Sequence, residues 1–217
     1  MGAVPWVSAT SMTQVVNTTS KTFTLEEYLR FEETAEGKHE FRNGEIIDMS
    51  GGSFNHALIS MNIGGELRMK LKGSPCGVLS SDLRVRIAGT TRYCYPDVSV
   101  CGLTIFDPPS CDHTVTNPKL LVEVLSPSTE ASDRGEKFHR YLQIESLEEY
   151  VLVSQAEPRI DAFFRHSDGS WVLNFAQGLE TTFHFRSLGI DLPLSEVYAG
   201  VVFPTVEEVK DANGSTK

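Results

Sequence analysis

Two acids stand out because each is set against an apolar run of the kind that forms buried strands. Asp97 follows Tyr93-Cys94-Tyr95-Pro96 and leads into Val98-Ser99-Val100-Cys101. Glu123 lies within Leu120-Leu121-Val122-Glu123-Val124-Leu125, just ahead of Ser126-Pro127-Ser128-Thr129. A carboxylate inside such a run costs on the order of several kcal/mol unless a cation or hydrogen-bond donors compensate it. Two of them side by side repel, and a shared divalent metal is the simplest relief. The chemistry this pair points to is metal-dependent cleavage of a phosphoester. Strand alternation puts Asp97 on the face of Tyr95 and Ser99, and Glu123 on the face of Leu121 and Leu125. Taken singly, each also reads as a structural or solvated acid, and Pro96-Asp97 as an ordinary turn.

The elements that must position these acids can be read from pattern. Thr24-Leu25-Glu26-Glu27 is a capping box that opens a short helix to about Glu33. Residues 38–42 and 45–49 form a hairpin on Asn43-Gly44, a pair that favours a type I′ turn. From Ser53 to Leu71 apolar residues recur at helical spacing, and Gly73 closes the helix. Strands are predicted at 77–80, 83–87, 95–101 and 120–125, with a long loop between Pro108 and Pro118. A helix over about 133–144 and a strand over 150–154 follow. Three runs at 159–165, 171–176 and 181–185 alternate like an antiparallel meander. Residues 1–21 and 207–217 read as tails around a domain spanning 22–206. The order implies an α/β fold with a mixed sheet.

The chain has 217 residues, with 40% hydrophobic and 22% charged, as in ordinary globular proteins. No apolar run is long enough to span a bilayer, and the first residues lack the pattern of a secretion signal, so a cytoplasmic protein is expected. The four cysteines and six histidines lack the paired spacing of a zinc site. Cys94 and Cys101 read as small core residues. A net charge of −10 argues against a general nucleic-acid coat protein, yet the sign reverses locally. Between residues 66 and 92, six basic residues face only Glu66 and Asp82, and Arg134, Lys137 and Arg140 form a second basic group. These groups read either as scattered surface charge or as a surface that tracks phosphates.

The Asp97–Glu123 interval resembles the PD-(D/E)XK nuclease superfamily. In the standard form of that motif a lysine stands two residues after the second acid, where this chain has Leu125. Lys137, within Asp133-Arg134-Gly135-Glu136-Lys137-Phe138, can replace it if the following helix packs beside the Glu123 strand. By spacing alone, Lys137 reads rather as an exposed partner of Asp133 four residues earlier.

The wider text resembles the Uma-two family of endonucleases, a branch of that superfamily. The matching segments are 24–29, Gly37 to Glu45, Met49-Ser50-Gly51-Gly52 ahead of His56, Tyr95 to Val100, and Val122 to Glu130. They continue through Asp133 to Phe138, Tyr141 and Leu147 to Val153, so the resemblance covers roughly residues 22–165. It implies a restriction-endonuclease-like domain: a central mixed β-sheet flanked by helices, with the meander added toward the C-terminus. It also implies Asp97 and Glu123 as metal ligands, Lys137 as a relocated catalytic lysine, and Glu40 as an additional acid. Glu40 is otherwise a cross-strand charge partner of the hairpin. His56 either contacts the site or is a helix-start or core histidine, and Tyr141 either supports Lys137 or packs.

The expected activity is hydrolysis of DNA phosphodiesters. Asp97, Glu123 and the Val124 carbonyl would hold Mg²⁺, with Mn²⁺ as a substitute, since hard cations prefer oxygen. DNA is the expected substrate and no membrane is involved; exposed strands and an acidic surface suggest a homodimer. The alternatives are a catalytically silent nucleic-acid-binding or scaffold domain, and a metal-dependent phosphodiesterase with a substrate other than DNA.

Overall fold

Local chemistry explains most element boundaries in the computed structural model, which describes residues 22–49, 51–87, 90, 92–107 and 111–203. The tails expected at 1–21 and 207–217 lie outside the described residues. Helix α1 (Leu25–Thr34) opens on the capping box: Thr24 accepts from the Glu27 amide, and the Glu27 carboxylate accepts from the Thr24 amide. Strands β1 (His39–Arg42) and β2 (Glu45–Asp48) turn on Asn43 and Gly44, whose φ of 51° and 92° are those a two-residue type I′ turn needs. Ser53 caps α2 (Phe54–Lys70) by accepting from the His56 amide, and Arg68 and Lys70 sit at the negative end of that helix.

The next strands are β3 (Gly77–Ser80), β4 (Arg84–Ile87), β5 (Arg92–Cys94), β6 (Val98–Cys101), β7 (Phe106–Asp107), β8 (Cys111–Val115) and β9 (Pro118–Leu125). Two expectations change here. The strand predicted over 95–101 begins only at Val98, and an unpredicted strand, β5, precedes it, because Tyr95-Pro96-Asp97 separates β5 from β6 as the chain passes between sheets. Pro96 has no amide to give to a ladder, which favours a break there. The predicted loop between Pro108 and Pro118 contains β8, which pairs in parallel with β4.

After β9 the chain forms α3 (Glu130–Ser132), a π-helical turn (Asp133–Lys137) and α4 (Phe138–Tyr141). A regular helix over 133–144 is thus replaced by a helical segment that starts and ends three residues earlier and contains a π turn around Gly135, a poor helix former. Strands β10 (Glu149–Ser154), β11 (Arg159–Arg165) and β12 (Trp171–Gln177) make an antiparallel meander. Strand β13 (Thr182–Phe185), expected to extend it, pairs instead with β14 (Ile190–Pro193) ahead of α5 (Leu194–Val197). Its Phe183 and Phe185 are drawn into the core shared with α2 and α5.

The class is α/β as expected, but two six-stranded mixed sheets stand where one central sheet was predicted. The main sheet has the order β12-β11-β10-β9-β6-β3, and the second β2-β1-β5-β4-β8-β7. On one face of the main sheet Val98, Val122, Val124 and Val151 pack under Ile59, Ile63 and Leu67 of α2. On the other face Leu121, Leu125 and Leu152 meet Tyr141 of α4 and Val85 and Cys94 of the second sheet. Each such aliphatic burial is worth about 1.5–3 kcal/mol. Tyr28 of α1 stacks on Phe41 and closes the second sheet from outside. No described helix is long and apolar enough to cross a membrane.

One connection matters most. Strands β9 and β10 are parallel neighbours, so the chain must cross over between them. The helical segment is that crossover, and it carries Lys137 back over the strand that holds Glu123.

Candidate active site

Glu123 projects from β9 on the Leu121 and Leu125 side, between the two sheets, and is 4% exposed. Its Oε1 accepts from Lys137 Nζ at 2.8 Å and from the Tyr141 hydroxyl at 2.7 Å. The Lys137 ammonium also lies 3.4 Å from Asp133 Oδ1 and 3.7 Å from Glu40 Oε1. The pairing with Asp133 therefore exists, but the lysine, its side chain 12% exposed, is ringed by acids rather than lying on an exposed helix face. Glu40 meets Lys137 from β1 and stands 3.7 Å from Arg42, two residues on in the same strand; across the hairpin it faces Ile47, so the cross-strand charge pair is not formed.

Asp97 occupies the bend between β5 and β6. Val98 pairs with Val122, so the next step of the antiparallel register sets Asp97 across from Glu123. Its Oδ2 accepts from the Val124 amide at 2.7 Å and lies 3.3 Å from His56 Nε2. His56 thus reaches the site from the first turn of α2. The reason for Gly52 is visible: a Cβ there would lie 2.7 Å from His56 Nδ1 and 2.9 Å from Cγ, whereas one on Gly51 would meet nothing within 4 Å. A side chain on residue 52 would displace the ring.

The electrostatics are those of too much negative charge in a dry place. Burial pushes the Glu123 carboxyl up, Lys137 pulls it back, and Asp97 and Asp133 add to the rise, leaving it at about 8. Burial works against the charge on Lys137, but Glu123, Glu40 and Asp133 outweigh it and raise its pKa well above the usual lysine value. The hydrogen bond to Asp97 raises the His56 pKa, burial opposes this, and the Asp97 charge and the Val124 backbone add to the rise.

Two features escape the sequence reading. Asp133, read only as a helical ion-pair partner, is 2% exposed and belongs to the charge cluster. Its spacing to Lys137 is the available signal, but spacing does not say which way the pair faces. Tyr141 supports Glu123 rather than Lys137.

The donors present fit a hard divalent cation. Asp97 and Glu123 supply carboxylate oxygens at facing positions of the register, the Val124 amide already meets Asp97, and the raised Glu123 pKa has a cause that a cation would relieve. Among the described residues no group of three or more His, Cys, Asp or Glu side chains gathers for a metal. A site of two carboxylates completed by water and phosphate oxygens is the pattern Mg²⁺ commonly uses.

Comparison with known proteins bears on the family and the fold. The model of the Uma2 family, described as "Putative restriction endonuclease", matches residues 25–195. A protein of Synechocystis sp. (strain PCC 6803) is 39% identical over 180 residues, covering 82% of this chain and 92% of its own. A second from the same organism is 35% identical over 176 residues, covering 81% and 99%. Both carry the description "Uncharacterized protein". A crystal structure described as "a putative nuclease belonging to DUF820", from Anabaena variabilis, superposes with a TM-score of 0.66. It covers 83% of this chain and 99% of the other at 15% identity, a likeness of fold.

Proposed function

The chain belongs to the Uma2 family, and from that premise we propose that it is a metal-dependent nuclease hydrolysing phosphodiester bonds of DNA. One observation carries the reading: Lys137, brought back by the crossover, lies 2.8 Å from Glu123, while Asp97 stands across the register from that same acid. A structural ion pair needs one acid and one base. Here Asp97, Glu123, Asp133 and Glu40 share Lys137 and the nearby His56, an excess that disfavours the empty site and favours a cationic occupant.

Asp97, Glu123 and the Val124 carbonyl would hold Mg²⁺ or Mn²⁺. When bound, such an ion polarises the phosphoryl oxygen and lowers the pKa of a coordinated water. The remaining steps belong to side chains. Lys137 stays charged and orients the attacking water toward phosphorus; its ammonium also faces the negative charge that develops on the phosphate. Tyr141 fixes the Glu123 carboxylate, and the Val124 amide and His56 fix Asp97. Glu40 and Asp133 hold the ammonium in place.

The test is incubation of the purified full chain with supercoiled plasmid and with single-stranded DNA, in Mg²⁺, Mn²⁺ or a chelator, beside Glu123→Ala. Cleavage in metal alone, absent from the variant, is expected. A second reading, a silent nucleic-acid-binding domain, is favoured by the absence of a third acidic or histidine ligand among the described residues. DNA binding without cleavage in any metal would select it.

A further inference from the structure

The hydrolytic centre does not use all the basic residues gathered around it. Phe41 pairs with Tyr93 across antiparallel β1 and β5, so the next pair in that register sets Arg42 opposite Arg92. Like charges directly opposite one another on neighbouring strands repel. Arg140, about one helical turn past Lys137, adds a third guanidinium. Its residue is 6% exposed, and after burial the charges of Arg42 and then Arg92 are what push its pKa down.

The polar groups of this cluster are poorly matched. Neither Arg42 Nε nor Arg140 Nε has a hydrogen-bond partner. Arg92 Nε is tethered to Asn43 Oδ1 at 3.0 Å. The acid facing both Arg42 and Arg140 is Glu136, 3.5 Å from the former and ion-paired with the latter, and its side chain is 55% exposed. Glu40 lies 3.7 Å from Arg42 and 3.7 Å from Lys137, which joins the arginines to the lysine centre. Desolvated guanidinium groups without full partners are costly, and their planar forks match phosphate oxygens.

We propose that Arg42, Arg92 and Arg140 form a phosphate-binding subsite that grips a backbone phosphodiester neighbouring the one cleaved. The proposal rests on the nuclease reading above. Glu136 occupies the subsite in the free protein and swings to solvent when the strand enters. The ligand is a nucleic-acid backbone phosphate, read without regard to base.

The experiment is binding of a duplex oligonucleotide by the full chain across a range of KCl concentrations, once in Ca²⁺ and once in chelator. Wild type, Arg42→Gln and Arg92→Gln are compared, each checked for folding by thermal melting. Losing one phosphate contact should lower the slope of log affinity against log salt by about 1 and weaken all sequences alike. Arg92, at the open end of the cluster, serves if Arg42→Gln fails to fold. Wild-type binding with unchanged slopes in the folded variants overturns the subsite and leaves the nuclease reading standing. Wild type that binds no DNA in either condition overturns both. Inorganic phosphate that raises the melting temperature of wild type alone, with DNA slopes unchanged, overturns the backbone assignment in favour of a free anion.

Discussion

Two buried glutamates on neighbouring parallel strands make opposite uses of burial. Glu149 of β10 is 1% exposed, and Glu123 of β9 is 4% exposed. Burial raises the pKa of both. Around Glu149 the donors come from one turn and are neutral: the Ser187 hydroxyl at 2.7 Å, the Ser187 amide at 3.0 Å and the Arg186 amide at 3.2 Å. Glu123 instead has a lysine and a tyrosine, with the acids Asp97 and Asp133 close enough to raise its pKa further. A carboxylate satisfied by neutral donors ties a turn to a strand. In the reading proposed above, a carboxylate crowded by other acids is one whose charge a cation would relieve. Burial therefore does not distinguish the functional acid, and the company it keeps does.

Substitutions at the two positions should separate cleanly. Asp97→Ala, Glu123→Ala and Lys137→Ala should each lower metal-dependent plasmid cleavage by at least about 10²–10³-fold, the usual cost of removing one charge-stabilising group. Their far-UV circular-dichroism spectra should stay those of the folded chain. Glu149→Ala should do the reverse, losing on the order of 3 kcal/mol in urea unfolding as buried donors lose their acceptor. If Glu149→Ala is as stable as wild type, the contrast between the two acids is wrong.

The pH response sharpens the same contrast. In chelator, Glu123 binds a proton up to about 8 in the folded chain, against an ordinary value of 4.5. The folded state thus holds a proton that the unfolded chain has released, so this contribution is full below 4.5 and is lost as pH rises toward 8. Glu123→Gln carries no such proton. The melting temperature of wild type should fall relative to that variant across this window, and a flat difference would contradict the assigned direction.

Gly52→Ala tests the support of Asp97. The new Cβ cannot coexist with the present His56 ring, so cleavage should drop about tenfold, within the range typical of lost second-layer support, with little change in melting. The smallest effect is expected from Glu40→Ala, a drop of a few-fold, since Lys137 keeps Glu123 and Asp133.

Much of this arrangement was legible because it rests on local chemistry. The capping box at Thr24, the Asn43-Gly44 turn and the apolar runs around Glu123 each name their own structure. The split of the second sheet from the first was not legible, because it depends on where Tyr95-Pro96-Asp97 sends the chain. The π turn at Asp133–Lys137 and the inward aim of Lys137 depend on packing against β9, which no helical period encodes. The departure of β13 from the meander has the same origin, since alternation fixes a strand but not its neighbour. For the site, residue types gave the acids, while the seating of His56 by Gly52 needed three dimensions.

Calorimetric titration of Mn²⁺ into wild type, Glu123→Gln and Glu149→Gln reads the proposed centre directly. Wild type and Glu149→Gln should bind with equal affinity, and Glu123→Gln should bind about 100-fold more weakly or not at all, at or beyond the loss typical of disturbed ligand support. Equal binding by Glu123→Gln and wild type, or no binding by wild type, would contradict the metal centre.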